Sequence, residues 1–473
     1  MEIIPAARYP AKDRSSLIAF LRYCRDQARR ENRRKYASIT LRVPHIDPLA
    51  VLTSIYEPRE LHAYFEHPEH AEALAGADAI VFAKFTGMER FAQARAWAEE
   101  VGNDCIAIGD MDAPMAGPRF LFAFGFWPQE EEDSPPFPPG LVFLPRWQVG
   151  CADGVHSATA NLPIDPESPV EPMADRVLAA HARFHAFPYR TAQPVPPVVV
   201  EHREEWGGDE HFQEGVANAL RRISSGEFAK IVLARAIDLR AAQPLRPLAC
   251  VHRLRERFPG CRSFSLGNGD GVGFIGATPE RLVRLENGLV ETEAVAGSAP
   301  RGSDAGEDAR IAHELLTSEK DLREHRHVIQ SICRRLAVLG VEAKAADFPS
   351  LMQLANVRHL RSPIHGVLPE GSHLFSFLAS LHPTPAVGGT PREPALAAIP
   401  GLEGFPRGLY AGVVGWCDTS GMGEGIVAIR SALVRENWAR IYAGAGIVAG
   451  SDPSRELAET EIKFQALLGA LLV

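Results

Sequence analysis

The hydrophobic pattern of residues 1–200 is that of short strands with one clear helix. Apolar runs bounded by turn residues at 77–85, 119–126 and 140–149 predict three strands. Apolar residues at helical spacing over 175–187 predict an amphipathic helix. Between these elements, the acidic, proline-rich stretch "PQEEEDSPPFPPG" predicts an exposed loop, and "AQPVPPVVV" predicts a connector that ends at residue 200.

The pattern becomes denser after residue 205. Val216, Leu220 and Ile223 share one helical face, and the helix is expected to break at Gly226. The β-branched run "AKIVLARAIDL" that follows predicts a strand. A glycine-rich "GNGDGVG" farther on resembles a nucleotide loop, but it joins two apolar runs with no helix behind it, which favours a hairpin turn.

Three longer segments complete the pattern. Residues 263–285 predict two strands about that turn, and 308–340 predict one long amphipathic helix. The runs 408–416, 424–434 and 438–448 predict three consecutive strands of an antiparallel meander. Runs of strands interrupted by single helices favour an α+β fold with a mostly antiparallel sheet.

Composition narrows the class of protein without identifying it. The 473 residues are 46% hydrophobic and 23% charged, as in an ordinary globular chain, and the net charge of −9 with no basic block argues against a nucleic-acid partner. No signal-peptide pattern and no apolar run of membrane length is present. Seven scattered cysteines without a CxxC pair fit reduced thiols. These features predict a cytoplasmic protein that binds no membrane.

The last helix carries the first candidate chemistry. Asp452 followed by proline is a helix start, and Glu456, Glu459 and Lys463 then fall on one face while Glu461 points elsewhere. The ordinary interpretation is a solvated face, because acids suit the first turns of a helix and Glu459 with Lys463 is an i,i+4 pair. Taken alone, the segment favours that interpretation.

The long helix at 308–340 offers a partner for these acids. Asp321 and Glu324 lie at i, i+3, so two helices could place four carboxylates around one hard cation such as Mg²⁺. A solvated charged face is again the alternative for either helix considered separately. The histidines of this helix lack zinc spacing on one face.

Three isolated charges stand in apolar surroundings. Lys230 lies in a strand, where it either points inward as a desolvated general base or faces solvent at an edge. Glu280 follows a Thr-Pro turn and is either a general acid or an ion-pair partner of a nearby arginine. Arg430 stands in the middle of a predicted strand and requires a buried anionic partner, from protein or ligand.

Eight motifs in one order connect these residues to a known family. They are "FAKIVLAR", "FIGATPERLV", "AVAGSAPRG", "SEKDLREH", "LHPTPAVGG", "YAGVVGW", "VAIRSA" and "AGAGIVAGSDPSRELAETEIK". Together they resemble the chorismate-utilising enzymes, most closely the isochorismate synthases, over residues 205–472. The resemblance implies a single large α+β domain with two mostly antiparallel sheets flanked by helices around a central cleft. It divides the chain into a variable N-terminal half of the same fold, 1–200, and a catalytic region, 205–473.

The resemblance also implies roles for fourteen residues. Lys230 matches the base that activates water for attack at C2 of chorismate, and Glu280 matches the acid that protonates the departing C4 hydroxyl. Glu324 and Glu459 match direct Mg²⁺ ligands, with Asp321 and Glu456 holding metal-bound waters. The positions that match substrate contacts are Tyr410, Arg430, Gly444, Lys463, Gly297, Ser298, His359 and Ala386.

Within the family, the motifs favour water as the nucleophile. Ammonia-using members typically have glutamine in place of Lys230, and one group has a nucleophilic lysine at the position of Ala296. No glutaminase subunit is therefore expected. Ala386 and Val387 resemble the pocket wall of isochorismate synthases more than that of salicylate synthases, which share Lys230 and Glu280 and then eliminate pyruvate. Ser298 stands where threonine is usual, which keeps the hydroxyl.

Two alternatives and one question stay open at this point. A salicylate synthase would carry the same first step, and a non-catalytic chorismate-binding protein would keep the fold without turnover. The complete set of catalytic residues and acids argues against the second alternative. The resemblance leaves open whether isochorismate would serve menaquinone, siderophore or salicylate synthesis.

Overall fold

The structure, a computed structural model, describes residues 1–5, 13–55, 57, 59–131, 136–187, 189, 197–353 and 357–472. Among these residues the α-helices are α1 Arg14–Glu31, α2 Pro48–Ile55, α3 Arg90–Asn103, α4 Val170–His185, α5 Gly208–Ser224, α6 Pro247–Arg257, α7 Ala305–Thr317, α8 Glu319–Val338, α9 Leu374–Leu381, α10 Arg392–Ala398, α11 Pro400–Glu403 and α12 Pro453–Leu471. The β-strands are β1 Glu2–Ile3, β2 Lys35–Val43, β3 Leu61–His67, β4 Glu72–Phe85, β5 Cys105–Gly109, β6 Arg119–Phe124, β7 Gly140–Ala152, β8 Val155–Ile164, β9 Val200–Glu205, β10 Lys230–Ala241, β11 Arg262–Asn268, β12 Val272–Thr278, β13 Arg281–Glu286, β14 Leu289–Pro300, β15 Lys344–Ala345, β16 Ser350–Gln353, β17 Val357–Val367, β18 Gly389–Thr390, β19 Val413–Asp418, β20 Gly423–Val427, β21 Ser431–Arg435 and β22 Trp438–Val448.

The strands form one hydrogen-bonded network with two arms. The first arm runs in the order β10-β22-β21-β12-β11-β3-β4-β7-β8-β2-β5-β1. The second arm runs β7-β6-β19-β20-β13-β14-β17. Pairing is antiparallel except where β5 meets β1 and β2. The predicted α+β fold with mostly antiparallel pairing is confirmed, and the two expected sheets are arms of one network.

Strand β7 joins the arms because it is long enough to serve both. Along one edge it pairs with β4 from end to end. Along the other edge its residues 140–143 pair with β6, and its residues 147–152 pair with β8. The register of β4 shifts between Ala79 and Val81, next to Asp78 in the left-handed region, so the pair bends where the arms diverge.

The first 200 residues share this network with the rest of the chain. Strand β3 pairs with β11, and β6 pairs with β19. Phenylalanines of β6 and β7, among them Phe122, Phe124 and Phe143, are fully buried. The ring of Phe375 on α9 meets Phe122 edge-on at 5.1 Å, so this helix packs against the second arm.

The predicted long helix at 308–340 is two helices, which corrects the sequence interpretation. Helix α7 ends at Thr317, and Ser318 adopts extended backbone angles with φ −66° and ψ 110°. The Ser318 hydroxyl accepts a hydrogen bond from the Asp321 amide at 3.3 Å, so it caps α8. Asp321 and Glu324 therefore lie in the first two turns of a new helix, not in the middle of a long one.

The predicted C-terminal meander was also wrong in one place. Residues 424–434 form two strands, because the chain leaves β20 after Val427, passes through Arg430 with φ +50°, and enters β21 at Ser431. Strand β20 belongs to the second arm and β21 to the first. Arg430 therefore lies where the chain crosses between the arms, not in the middle of a strand.

A second crossing corrects the prediction for residues 263–285, which form three strands rather than two. After β12 in the first arm the chain turns at Pro279 and Glu280 into β13 in the second arm. The two crossings are hydrogen-bonded to each other: the Val427 amide donates to the Glu280 carbonyl, and the Ala277 amide to the Arg430 carbonyl, both at 3.1 Å. Glu280 and Arg430 thus lie at one junction of the fold.

The remaining predicted elements agree with the structure where it describes them, with two exceptions. Residues 408–412, predicted as strand, form a turn before β19, and Phe137 and Pro139 of the loop predicted to be exposed are buried. Helices α4 and α5 and strand β10 are observed, and the turn between β11 and β12 is a hairpin with Gly269 and Gly271 at positive φ. Of the proline-rich loop, residues 132–135 lie outside the described residues, as do residues 192–196 of the connector. Within the described ranges, no helix has both the length and the apolar character needed to cross a membrane.

Candidate active site

One cavity of about 240 Å³ lies beside the junction where the chain crosses between the arms. Strands β10, β14 and β22, helices α8 and α12, and both crossings contribute to its lining. It brings together all fourteen residues singled out from the sequence, which are Lys230, Glu280, Gly297, Ser298, Asp321, Glu324, His359, Ala386, Tyr410, Arg430, Gly444, Glu456, Glu459 and Lys463. The structure shows this placement, and the roles inferred for these residues stay predictions.

Lys230 points into the cavity, which settles one alternative left open by the sequence. It is the first residue of β10 and is paired there with Thr390 and Val448. Its Nζ donates to Glu324 Oε1 at 2.7 Å, and its side chain is 12% exposed. Burial opposes ionisation of Glu324, but the Lys230 ammonium outweighs it and holds the pKa of this carboxyl below its ordinary value.

Glu280 is a buried carboxyl with an unusually high proton affinity. Its Oε1 accepts from Thr384 Oγ1 at 3.3 Å. Burial, reinforced by the charge of Glu293, raises the pKa of Glu280 to about 7, although Thr384 and Lys230 act in the opposite direction. A large share of Glu280 is therefore protonated near neutral pH and has a proton to donate.

The acids of α8 and α12 line the cavity as the helical spacing predicted. Glu459 Oε1 accepts from Lys463 Nζ at 2.6 Å, and this lysine keeps the pKa of the Glu459 carboxyl low despite burial. Burial raises the pKa of Glu456, helped by the charge of Glu459 and opposed by a hydrogen bond from Ser451. Asp452 caps α12 and Pro453 follows it, as expected.

Glu461, in contrast, lies away from the cavity and interacts with Arg203 at 3.4 Å. This placement agrees with the prediction that it belongs to another helix face. It therefore provides a natural internal control for the two glutamates that precede it on α12.

The four acids fit a hard divalent cation in donor chemistry. All donors would be carboxylate oxygens, which Mg²⁺ prefers, and the repulsion between Glu456 and Glu459 is of the kind that a cation relieves. Among the described residues, no three His, Cys, Asp or Glu side chains are already gathered at metal-binding distances. Two of the four acids are instead neutralised by Lys230 and Lys463.

In the cationic part of the cavity, the guanidinium of Arg430 is a hydrogen-bond donor without a described protein acceptor. The guanidinium of Arg430 is hydrogen-bonded to none of the described residues, and burial lowers its pKa. The sequence predicted a buried anionic partner for this arginine, and no protein carboxylate within the described ranges pairs with it. A ligand anion is the alternative partner that the sequence left open, and it stays a prediction. Arg430 is held in a left-handed conformation, which is costly for a residue with a side chain and recurs at binding sites.

Tyr410 and Gly444 shape the same part of the wall. The Tyr410 ring stacks on Tyr442 with centroids 5.0 Å apart. A Cβ at Gly444 would lie 2.7 Å from Tyr410 Oη, so only glycine leaves room for the phenol. The carbonyl of Gly444 accepts from Lys463 Nζ at 2.7 Å, which orients this lysine toward the cavity.

A bulge in β14 places Gly297 and Ser298. The register with β17 shifts between Ala296 and Ser298, and Gly297 takes φ +80° there. Ser298 Oγ lies 2.8 Å from His359 Nδ1. Burial and the nearby cations Arg430 and Lys463 lower the pKa of His359 to about 3, so its imidazole is neutral.

Sequence reasoning missed several residues that support these groups. Thr384 holds Glu280 and lies within the motif "LHPTPAVGG", so its position was visible although its contact was not. Lys320, next to Asp321, also lines the cavity, and its charge acts on Glu324 and Glu456. Ser318 holds Asp321, and only the break between α7 and α8 discloses that contact.

Comparison with known proteins gives one consistent result. A family model described as "Chorismate binding enzyme" matches residues 20–472. The isochorismate synthase MenF of Bacillus subtilis is 33% identical over 357 residues, which cover 75% of each chain. The salicylate biosynthesis isochorismate synthase of Pseudomonas aeruginosa is 39% identical over 271 residues, 57% of this chain and only 55% of that protein.

A solved structure is similar along almost the whole chain. The menaquinone-specific isochorismate synthase MenF of Escherichia coli superposes with a TM-score of 0.75 at 26% identity, covering 96% of this chain and all of that one. The superposition includes the first 200 residues, where the motifs are sparse.

Proposed function

The chain belongs to the family of chorismate-binding enzymes, and from this premise we propose that it is an isochorismate synthase, which interconverts chorismate and isochorismate. The names of its relatives support this activity. They include proteins named for menaquinone and for vibriobactin, so the proposal does not extend to the pathway that uses the product. We expect the enzyme to act in the cytoplasm without a glutaminase subunit.

The observation that carries the proposal is the distribution of charge in the cavity. Chorismate is a dianion, and Arg430 is a half-buried cation in the cavity wall that forms no ion pair with a described protein carboxylate. An arginine of this kind matches a carboxylate in geometry and charge, and we assign it to the enolpyruvyl carboxylate together with Tyr410. Lys463 then contributes to the binding of the ring carboxylate.

Exchange of one hydroxyl for another requires a base and an acid. In the proposed reaction Lys230 first releases a proton from its ammonium to solvent, and its neutral amine then accepts a proton from a water whose oxygen bonds to C2 of the ring. The ring double bonds shift, the C4–O bond breaks, and Glu280 gives its proton to the departing hydroxyl, which leaves as water. One water enters and one leaves, so the reaction is an isomerisation. The raised pKa of Glu280, about 7, supports its role as the acid.

We further propose that the cavity holds Mg²⁺. Glu324 and Glu459 would be its direct ligands, and Asp321 and Glu456 would hold its bound waters. When bound, the ion supplies positive charge that neutralises the ring carboxylate. The two direct ligands are paired with Lys230 and Lys463, so the cation would compete with both lysines for these carboxylates.

One product assay tests the activity. The purified protein is incubated with chorismate and Mg²⁺, and isochorismate, salicylate and pyruvate are separated by chromatography. We expect isochorismate without pyruvate, and no reaction when the metal is chelated. Pyruvate in stoichiometric yield would instead identify a salicylate synthase. Binding of chorismate without any product would contradict enzymatic function.

A further inference from the structure

Strand β10, which begins with Lys230, has a gap in its pairing on one edge. Strand β22 pairs with it along 230–240. On the other edge β18 pairs with only the first two residues, and β9 begins at Ile237. Between them, the carbonyl of Val232 and the amide of Ala234 face an edge where the described residues supply no strand. Unpaired buried backbone groups are costly, so another partner is required.

An ion pair from a neighbouring helix and loop fills this gap. Glu403 Oε1 accepts from the Ala234 amide at 2.7 Å, and Arg407 Nη2 donates to the Val232 carbonyl at 2.9 Å. One acceptor and one donor at this spacing reproduce what a neighbouring strand would present. Arg407 Nε also donates to Glu403 Oε2 at 2.8 Å, so the two side chains fix each other.

The pair is isolated from solvent and held on several sides. Both side chains are 1% exposed. The guanidinium lies over the ring of Phe126, with Cζ 4.2 Å from its centroid. Glu131 accepts from the backbone amides of Arg407 and Gly408 at 3.0 and 2.8 Å. Contacts on so many sides leave the guanidinium little freedom to move.

Arg407 connects three separate parts of the cavity wall. Its Nη2 holds Val232, two residues from Lys230, and its Nη1 donates to the Val387 carbonyl at 2.9 Å. Its own carbonyl accepts from the Tyr410 amide at 2.9 Å. Val232, Val387 and Tyr410 all line the cavity. A backbone hydrogen bond of 2.9 Å from the Val232 amide to the Gly388 carbonyl also joins the first two segments.

We propose that Glu403 and Arg407 are positioning residues that act as a substitute strand and keep Lys230, the Val387 wall and Tyr410 in a fixed relation. The catalytic part of this inference rests on the proposed function. Displacement of a reacting group by about 1 Å can lower a rate by about 10²-fold, so loss of the pair should affect turnover even if the fold survives.

The main test replaces both charges with apolar side chains of similar size, Glu403→Leu with Arg407→Met. Replacement of a whole buried ion pair by apolar residues often preserves stability, whereas removal of one partner does not. We expect a folded protein with a Tm below that of the wild type, because the Ala234 amide and the Val232 carbonyl lose their partners, together with a fall in kcat of about 10²-fold and a rise in KM for chorismate. A smaller folded fraction would lower apparent kcat alone, so the change in KM separates positioning from stability.

A control uses a second ion pair, which joins β10 to its neighbour β22. Arg440 of β22 binds Asp238 of β10 through two hydrogen bonds of 2.7 and 2.8 Å, near the end of β10 that is farther from Lys230. Arg440→Met with Asp238→Leu should leave KM unchanged. If both double variants change KM equally, the effect is general to the strand and the proposal is wrong.

Hydrogen exchange supplies a readout that does not require activity. The amide of Ala234 should exchange faster in the Glu403→Leu, Arg407→Met protein, while amides of β10 paired with β22 keep their protection. If the wild type does not convert chorismate, the proposed function fails, and this measurement still tests the substitute strand. Unchanged exchange at Ala234 would overturn it.

If the double variant does not fold, Arg407→Lys takes its place. Lysine keeps the charge beside Glu403 but cannot donate to Val232, Val387 and Glu403 in one plane. We expect reduced kcat and raised KM in a folded protein. Wild-type kinetics in Arg407→Lys would contradict the positioning role.

Discussion

Two walls of the cavity differ in how their charges are balanced. The helix wall, made of the acids and Lys463 on α8 and α12, is compensated for two of its four acids: Glu324 is bound to Lys230, and Glu459 to Lys463. The crossing wall, made of Glu280 and Arg430 where the chain passes between the arms, is not. There the arginine has no protein carboxylate among the described residues, and the carboxyl tends to keep its proton.

This difference indicates how the two walls would bind a dianionic substrate and a cation. On the helix wall a cation would compete with the lysines that already neutralise Glu324 and Glu459. On the crossing wall a carboxylate would meet the guanidinium of Arg430, and Glu280 repels an anion less than an ordinary carboxylate because a large share of it is protonated. The predictions below test whether the two walls behave in these different ways.

The largest effect is expected for Lys230, the proposed base, which is bound to Glu324 of the helix wall. Lys230→Ala should lower kcat by about 10²- to 10⁴-fold, the usual contribution of a general base. Chorismate consumption measures it, with Lys344→Ala, an exposed lysine of β15, as the control. Full activity in Lys230→Ala would remove this lysine from the mechanism.

On the crossing wall, Glu280→Gln should stabilise the protein in a pH-dependent way. The pKa of the folded-state carboxyl, about 7, lies above its ordinary value of 4.5, so the folded protein holds a proton that the unfolded chain releases between these pH values. Stability is therefore lost as pH rises through this window, by up to about 3 kcal/mol. Glutamine has no such proton, so the variant should gain in Tm over the wild type at pH above 7 and gain little below pH 4.

Glu280→Gln should also change how kcat/KM depends on pH. In the wild type, kcat/KM should fall as pH rises through about 7, because the acid loses its proton. Glu280→Gln should be poorly active at every pH and lack this limb. An unchanged pH profile in the variant would assign the proton donor to another group.

Metal affinity distinguishes the two faces of α12. Glu459→Gln should weaken Mg²⁺ binding by at least about 10- to 100-fold, the cost typical of losing even an outer-shell partner. Glu461→Gln, on the same helix but bound to Arg203, should leave the affinity unchanged. Calorimetric titration of the substrate-free proteins measures both. Equal affinities in the two variants would place the cation elsewhere.

A smaller effect is expected for the free arginine. Arg430→Gln should lower kcat/KM by about 10- to 10²-fold, since a hydrogen bond to a charged group contributes about 1.5–3 kcal/mol. Because no carboxylate of the described residues forms an ion pair with this arginine, its loss should leave Tm nearly unchanged. Arg435→Gln, at the exposed end of β21, is the control. A large fall in Tm for Arg430→Gln would show that the arginine has a structural partner.

The helix wall was largely predictable from the sequence, and the crossing wall only in part. The spacing of Asp321 with Glu324 and of Glu456 with Glu459 fixes which side chains share a helix face, because that relation is local. Their convergence came from the family resemblance and not from spacing. The split at Ser318 was missed because amphipathic spacing continues across it.

The crossing wall depends on strand pairings and contacts between residues distant in sequence, which no local pattern records. The run around Arg430 has the composition of one continuous strand, and only its pairing with two different arms divides it. The inward direction of Lys230 was likewise undecidable, since an edge strand and a buried strand give the same alternation. Glu403 and Arg407 were not identified, because a side-chain substitute for a strand leaves no periodic signal.

The central claim is that water attacks C2 while the C4 hydroxyl departs, with Lys230 and Glu280 as base and acid. Its most direct test is conversion of chorismate in water enriched in a heavy oxygen isotope, with mass spectrometry of the isochorismate formed by the Mg²⁺-supplied enzyme. The account predicts one heavy oxygen in the product, located in the C2 hydroxyl. Isochorismate without the label would show that the original hydroxyl migrates, and would contradict the account.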